Sequence, residues 1–233
     1  DYQYKDLGNR FDNVSSTFSL KYSPNDKNIM TPSGKYTFEK GFPQAYINFE
    51  KGVDALGGNL NYNRLDALII HQFRTKLGYT NFKLFGGISS GNAPIWKNFE
   101  IAGQTDVNLS KWYSNINTPN NLAFTTMPAG TFFADRFVAF QVSQFLPFRF
   151  KTLGSRYSTI ELEYQSAIGN MKNRTDHQFR FRVLDHYYQE VGITWNRFIG
   201  RNFGVGFAYR LGHYQTSVFK ENFGIKLKFG FLN

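Results

Sequence analysis

The groups in this 233-residue chain that could move protons or hold a metal are four histidines and seventeen acidic residues; there is no cysteine. Without cysteine there are no thiolate zinc sites, iron–sulfur clusters or disulfides. Asp176-His177 and Asp185-His186 are carboxylate–imidazole neighbours of the kind a hydrolase would bring to a substrate. Adjacent residues of an extended chain point to opposite sides, so neither dipeptide is expected to form a pair by itself. Cross-pairing of Asp176 with His186, or of Asp185 with His177, stays geometrically open, against the simpler reading of polar loop residues. A serine hydrolase would need a serine beside a histidine oriented by an acid or amide. His71 instead shares a face with Ile69 and Phe73, has no serine near it in sequence, and reads as structural. His177, His186 and His213 could gather at one rim, but their spacing fits no metal-ligand pattern. Gly86-Gly87, Gly204 and Gly206 lie in alternating segments, where glycine gives room for packing or bends and does not cradle phosphate. No catalytic centre, metal or cofactor is therefore expected.

A second set of polar residues is more regular. Glu161, Glu163 and Gln165 alternate with Ile160, Leu162 and Tyr164. A strand sends successive side chains to opposite faces, so the carboxylates share one face and the aliphatics the other. Such a face suits a water-filled lumen; it also suits the wet side of a soluble sheet. The same parity puts Gln141 and Ser143 opposite Val138 and Phe140, Arg210 opposite Phe207 and Tyr209, and Lys226 and Lys228 opposite Leu227 and Phe229. On a membrane reading, Gln141, Ser143, Glu161, Glu163, Gln165, Arg210, Lys226 and Lys228 face the lumen. Val138, Phe140, Ile160, Leu162, Phe207, Tyr209, Leu227 and Phe229 then face lipid.

Nine segments carry this alternation: 17–22, 45–50, 64–74, 82–88, 136–144, 158–168, 186–195, 203–211 and 223–231. Leu68 and Ile70 make the third apolar on both faces in its middle. Helical periodicity is not sustained anywhere, and no apolar run approaches the roughly 18 residues a spanning helix needs. A helical membrane protein is excluded. Aromatic residues make up 18% of the chain, yet mean hydropathy is −0.43, as in a barrel whose apolar strands are diluted by lumen and loop residues. Connections at 75–79, 147–155 and 196–202 are short, while those at 52–62, 91–130, 169–185 and 212–221 are longer. That sorting matches the two ends of a bacterial outer-membrane barrel. Residues 23–43, with Pro24, Pro32 and Gly34, read as a loop. The connection 91–130 is too long for an idle loop and is expected to fold into the lumen or over its mouth.

The fold expected is thus all-β, a transmembrane antiparallel barrel occupying 1–233 with about nine or ten strands. Nine is an odd number for a bacterial barrel, which favours the C-terminal part of a larger one. No positively charged region followed by an apolar stretch opens the chain, so any export signal is expected to have been removed or to lie upstream. The formal charge of +10 suits anionic lipid or lipopolysaccharide. Nucleic acid is not an expected partner, since there is no run of five or six basic residues and no recognition-helix pattern.

The stretch Pro43-Gln44-Ala45-Tyr46-Ile47-Asn48-Phe49-Glu50-Lys51-Gly52, followed by Asn61-Tyr62-Asn63-Arg64-Leu65, resembles large Bacteroidetes outer-membrane proteins. Those proteins carry a carboxypeptidase-regulatory-like domain ahead of a barrel of unassigned function. Gly86-Gly87-Ile88, Gly91-Asn92-Ala93-Pro94, Phe133-Ala134-Asp135-Arg136 and Asn222 to Phe229 extend the likeness from about residue 43 to the end. That family is in turn distantly similar to the barrel-assembly and two-partner-secretion transporters. The likeness implies the C-terminal part of a sixteen-stranded barrel, with 91–130 as the lumen loop and five strands after it. The transporters' loop carries Gly-Gly and an Arg-Gly-Phe or Arg-Gly-Tyr tip; here Ala102-Gly103 and Lys111-Trp112-Tyr113 stand in that loop, without the arginine. The closing strand resembles a barrel-assembly signal but ends Phe231-Leu232-Asn233. The implied function is assistance in outer-membrane protein biogenesis, secretion or surface export, with other outer-membrane proteins or lipoproteins as partners. A passive pore and a docking subunit are the alternatives.

Overall fold

The computed structural model describes residues 4–5, 10–101, 124–128, 130–152, 155–178, 180–199 and 203–229. Strands form where large apolar residues alternate with small or polar ones, because aromatic and β-branched side chains fit a pleated surface that is covered on one side. They are β1 (Val14–Tyr22), β2 (Lys27–Thr31), β3 (Gly34–Glu39), β4 (Gln44–Val53), β5 (Tyr62–Thr75), β6 (Gly78–Gly91) and β7 (Phe99–Glu100). After the long connection come β8 (Phe133–Ala134), β9 (Arg136–Thr152), β10 (Ser155–Asn170), β11 (Tyr188–Ile199), β12 (Phe203–Leu211) and β13 (Phe223–Phe229). Among the described residues the α-helical content is one turn, α1 (Phe219–Asn222). No described helix is long and apolar enough to cross a membrane, which says nothing of strands.

Nine strands form one antiparallel sheet in the order β1-β4-β5-β6-β9-β10-β11-β12-β13, so the chain is all-β. Each of the nine alternating segments contributes, within its described residues, one of these strands. Several run further than alternation suggests. Strand β9 passes through Pro147, where the β9–β10 ladder slips between the pairs Thr159–Arg149 and Glu161–Phe145. Proline has no donor for a ladder, so a slip is where it can sit. Strand β11 likewise continues past a slip at Trp195, with Arg197 at φ 58°. The described residues of the connections expected at 147–155 and 196–202 are therefore strand.

The segment 23–43 is a correction of another kind. It contains the β2–β3 hairpin, with Ile29 opposite Tyr36 and Met30 opposite Lys35. The hairpin leaves the sheet beyond the Tyr22–Ala45 pair, at the same end as the tight β5–β6 turn. The short-turn end of the sheet thus bears one long projection, an exception to the sorting of connections.

The sheet curls. At a strand spacing of about 4.8 Å, β10 and β13 would lie about 14 Å apart across a flat sheet. Yet Lys226 Nζ on β13 is 2.6 Å from Glu163 on β10, and Lys228 Nζ is 2.9 Å from Glu161. The curl gives a concave inner face and a convex outer one. It does not close: among the described residues β1 and β13 each pair on one side only.

Candidate functional site: a charge-lined and partly filled inner face

The two faces invert the usual arrangement of a water-soluble protein, where apolar side chains go inside. Gln141, Ser143, Glu161, Glu163 and Gln165 are all buried on the inner face. Leu162, between two buried carboxylates, is 43% exposed on the outer face. Val138, Phe207 and Leu227 are also exposed there, and Phe140, Ile160 and Tyr209 are half-buried. Phe18, Leu20, Ile47, Phe49, Leu65, Ile69, Ile88, Val191, Ile193 and Ile225 continue the exposed apolar surface from one edge to the other. Arg210, Lys226 and Lys228 are half-buried on the inner side. Phe229 ends β13, and its side chain lies outside those described.

The inner face is layered, and register sets the layers. Near the short-turn end lies a charged layer. Lys226 donates to Glu163 and Lys228 to Glu161; Thr194 also donates to Glu163 at 2.9 Å, and Asn196 to Glu161 at 3.1 Å. Gly206 makes the crossing possible: a side chain there would collide with Thr194 Oγ1 and crowd Lys226. Next comes a polar rung in which Gln44, Ile70, Lys83, Gln141, Gln165, Glu190 and Arg210 lie abreast on adjacent strands. Beyond it, Tyr46, Leu68, Phe85, Ala139, Ala167 and Tyr188 form an apolar rung.

That apolar rung is covered. Phe99, Ile101, Phe124, Met127, Phe132, Ala134 and Leu184 pack on it as one buried cluster. Phe99, Ile101, Phe124 and Met127 belong to the 91–130 connection, Phe132 and Ala134 to the segment after it and Leu184 to the β10–β11 connection, so described parts of both connections fold against the inner face. Gly103, Lys111, Trp112 and Tyr113, expected at the loop's tip, lie outside the described residues. The wall is shaped for this insertion: a side chain at Gly87 would strike the Phe99 ring, one at Gly169 would strike Ile101, and one at Gly224 would meet Thr125. Leu68 is apolar on an inner face because this plug rests on it.

Charged wall residues clamp the plug. The Glu190 carboxylate accepts from Thr125 N (3.0 Å), Thr126 N (2.8 Å) and Thr126 Oγ1 (2.8 Å). Arg210, its ladder partner, donates to Thr126 O at 2.9 Å and to Glu221 O at 2.6 Å. Its guanidinium stands 5.6 Å from the Tyr188 ring centre, and the Tyr188 hydroxyl meets Thr126 Oγ1 at 2.8 Å. On the opposite wall, Lys97 and the Tyr62 hydroxyl both donate to Glu50, Lys97 at 2.7 Å. Arg64 stacks 4.6 Å from the centre of Phe99. Backbone amides bound by a carboxylate in a shielded place make strong, charge-assisted bonds. Sequence reading placed Arg210 on this face but missed Glu190, Glu50 and Lys97. Strand parity puts Glu190 on the inner side, yet nothing local says that a loop backbone meets it.

The histidines separate into three places, with His71 on β5 opposite Phe82. His177 is buried against Tyr4 and Phe181, with ring centres 5.1 and 6.0 Å away. Burial holds its pKa below the ordinary histidine value, outweighing the opposing pull of Asp176 and Asp135. His186 stacks on His213 at 3.8 Å and meets Asp185 Oδ1 at 3.0 Å. The adjacent pair Asp185-His186 therefore does hydrogen-bond, contrary to the extended-chain expectation, because the chain bends at His186; Tyr214 also donates to Asp185, at 3.0 Å. Those two bonds hold the Asp185 carboxyl below its ordinary pKa. No group of three acidic or histidine residues that could hold a metal occurs among the described residues.

Residues 3–90 match the model of the C-terminal domain of a family of unknown function, DUF5686. The match spans β1 to β6 and leaves β9 to β13 outside it. No curated protein and no solved structure matches the chain.

Proposed function

We propose that the chain is the C-terminal part of a larger bacterial outer-membrane β-barrel, plugged from the long-loop end, that assists outer-membrane protein biogenesis, secretion or surface export. The observation that carries this reading is the inverted pair of faces: an apolar outer surface running across all nine strands, over an inner surface of buried carboxylates, amides and lysines. Exposing that apolar surface to water is costly at roughly 25 cal/mol per Å², whereas hydrocarbon receives it without cost. The edges that β1 and β13 leave unpaired among the described residues call for further strands between them, since an open edge within lipid leaves backbone groups unpaired. Outer-membrane lipids, lipopolysaccharide and other envelope proteins are the partners this implies. The plug and its clamps favour a gated or assisting role over a passive pore.

The purified chain is expected to need detergent and to migrate on cold gels as a compact species that heating converts to a slower one. A monomer that stays soluble and folded without detergent would overturn the membrane reading. Depletion in cells should lower the amounts of several other outer-membrane barrels or surface-exported proteins. Unchanged amounts would remove the assisting role and leave the barrel.

A further inference from the structure

The β10–β11 connection carries a feature that neither the plug nor the charged layer uses. Arg180, Phe181 and Arg182 alternate in extended chain: Phe181 is buried, so both arginines project outward. The backbone behind them is fixed, with Arg182 N donating to Thr131 O at 2.7 Å and Phe133 N donating to Arg182 O at 3.0 Å. Arg174 is brought in from across the connection. Its guanidinium lies 5.8 Å from the Phe181 ring centre and donates to Phe181 O at 3.3 Å. The three arginines line one concavity of about 620 Å³, floored by Phe181, Gly130 and Thr131.

The charges around it are unequal. Glu100 is engaged by Gly130 N at 2.6 Å, and Asp176 lies 4.0 Å from Lys5. Arg174, Arg180 and Arg182 have no carboxylate within ion-pair distance among the described residues. Arg174 is seated on Phe181, and Arg180 and Arg182 project from a backbone tied to Thr131 and Phe133, so three like charges line one concavity and favour an anion between them. Planar forks of N–H donors match phosphate oxygens two at a time, which a lysine cluster does not do.

We propose that Arg174, Arg180 and Arg182 form a phosphate-binding site, and that its ligand is a phosphomonoester on a glycolipid headgroup at the outer surface. The choice of lipid as source rests on the membrane reading above, because this connection lies at the long-loop end of the sheet. A soluble phosphate or phosphosugar presents the same chemistry and is separated from it by experiment.

The full chain in detergent is titrated with bisphosphorylated lipid A, with the same lipid dephosphorylated, and with inorganic phosphate. The variant R180Q/R182Q leaves Arg174 on Phe181, and K40Q/K76Q removes the same charge at the opposite end; heat-modified gel mobility checks that both fold. Loss of affinity for phosphorylated lipid by about tenfold or more in R180Q/R182Q only, with weak binding of the dephosphorylated lipid throughout, is expected. Equal binding of the two lipids, or equal losses in the two variants, would overturn the site. Arginine-dependent binding of inorganic phosphate without lipid preference would keep the site and overturn the lipid as its source. The phosphate arm still reads out if the protein proves soluble, so failure of the membrane reading and failure of this site are told apart.

Discussion

At the scale of residues, the decisive pairs are neighbours of opposite character on one strand. Leu162 and Glu163 differ by one position and by which face they occupy. If Leu162 lies at the bilayer midplane, Leu162→Arg should cost roughly 2–4 kcal/mol of folding into lipid vesicles. Wild-type folding yield for that variant would reverse the assigned faces. The ion pairs are the second residue-level test. Glu163 is almost fully enclosed and relies on Lys226 and Thr194. Lys226→Met strands a buried carboxylate and should cost about 3–5 kcal/mol, while Glu163→Met with Lys226→Met should recover most of it. A double variant as unstable as the single one would show that packing at these positions, not the charge, matters.

At the scale of elements, the covering segment meets the inner face through polar clamps as well as through its apolar cluster. Removing the Glu190 carboxylate leaves the amides of Thr125 and Thr126 unpaired in a shielded place. Glu190→Ala is expected to weaken the plug's attachment by about 1–3 kcal/mol for each donor. The readout is faster hydrogen exchange or proteolysis at 124–128 with the sheet unchanged; unchanged protection would locate the hold in the apolar cluster alone. The β10–β11 connection should respond to acid. His177 has a folded-state pKa below its unfolded one, so between the two values the unfolded chain binds more protons. Stability is then present above about pH 6.5 and falls as pH drops below it. His177→Gln should flatten the decline in melting temperature over that window, and an equally steep decline would assign it to other groups.

At the scale of the whole molecule, the inner face differs from end to end. The charged layer lies towards the short-turn end, and the buried apolar cluster covers the inner face towards the other. Reconstituted in a planar bilayer, the protein should show little steady current, and Glu190→Ala should raise the frequency of brief openings. A large, steady current in the unaltered protein would restore the passive pore. The β2–β3 hairpin projects from the short-turn end with Ile29, Met30, Tyr36 and Phe38 exposed, so that end is not bounded by tight turns alone.

Strand positions and the side to which each residue points were legible in the amino-acid order, because a period of two is a property of the local backbone. Gln141, Glu161, Glu163 and Lys226 on one face, and Leu162, Phe207 and Leu227 on the other, needed no knowledge of the rest of the chain. The hairpin at 27–39 was not legible: Pro24, Pro32 and Gly34 mark turns wherever they occur, and strand pairing across them leaves no local signature. Nor was the meeting of Lys226 with Glu163, of Glu190 with Thr125 and Thr126, or of Phe99 with Gly87. Those contacts depend on curl, ladder slips and a returning loop. They join residues far apart in the chain, where only the assembled sheet sets distance.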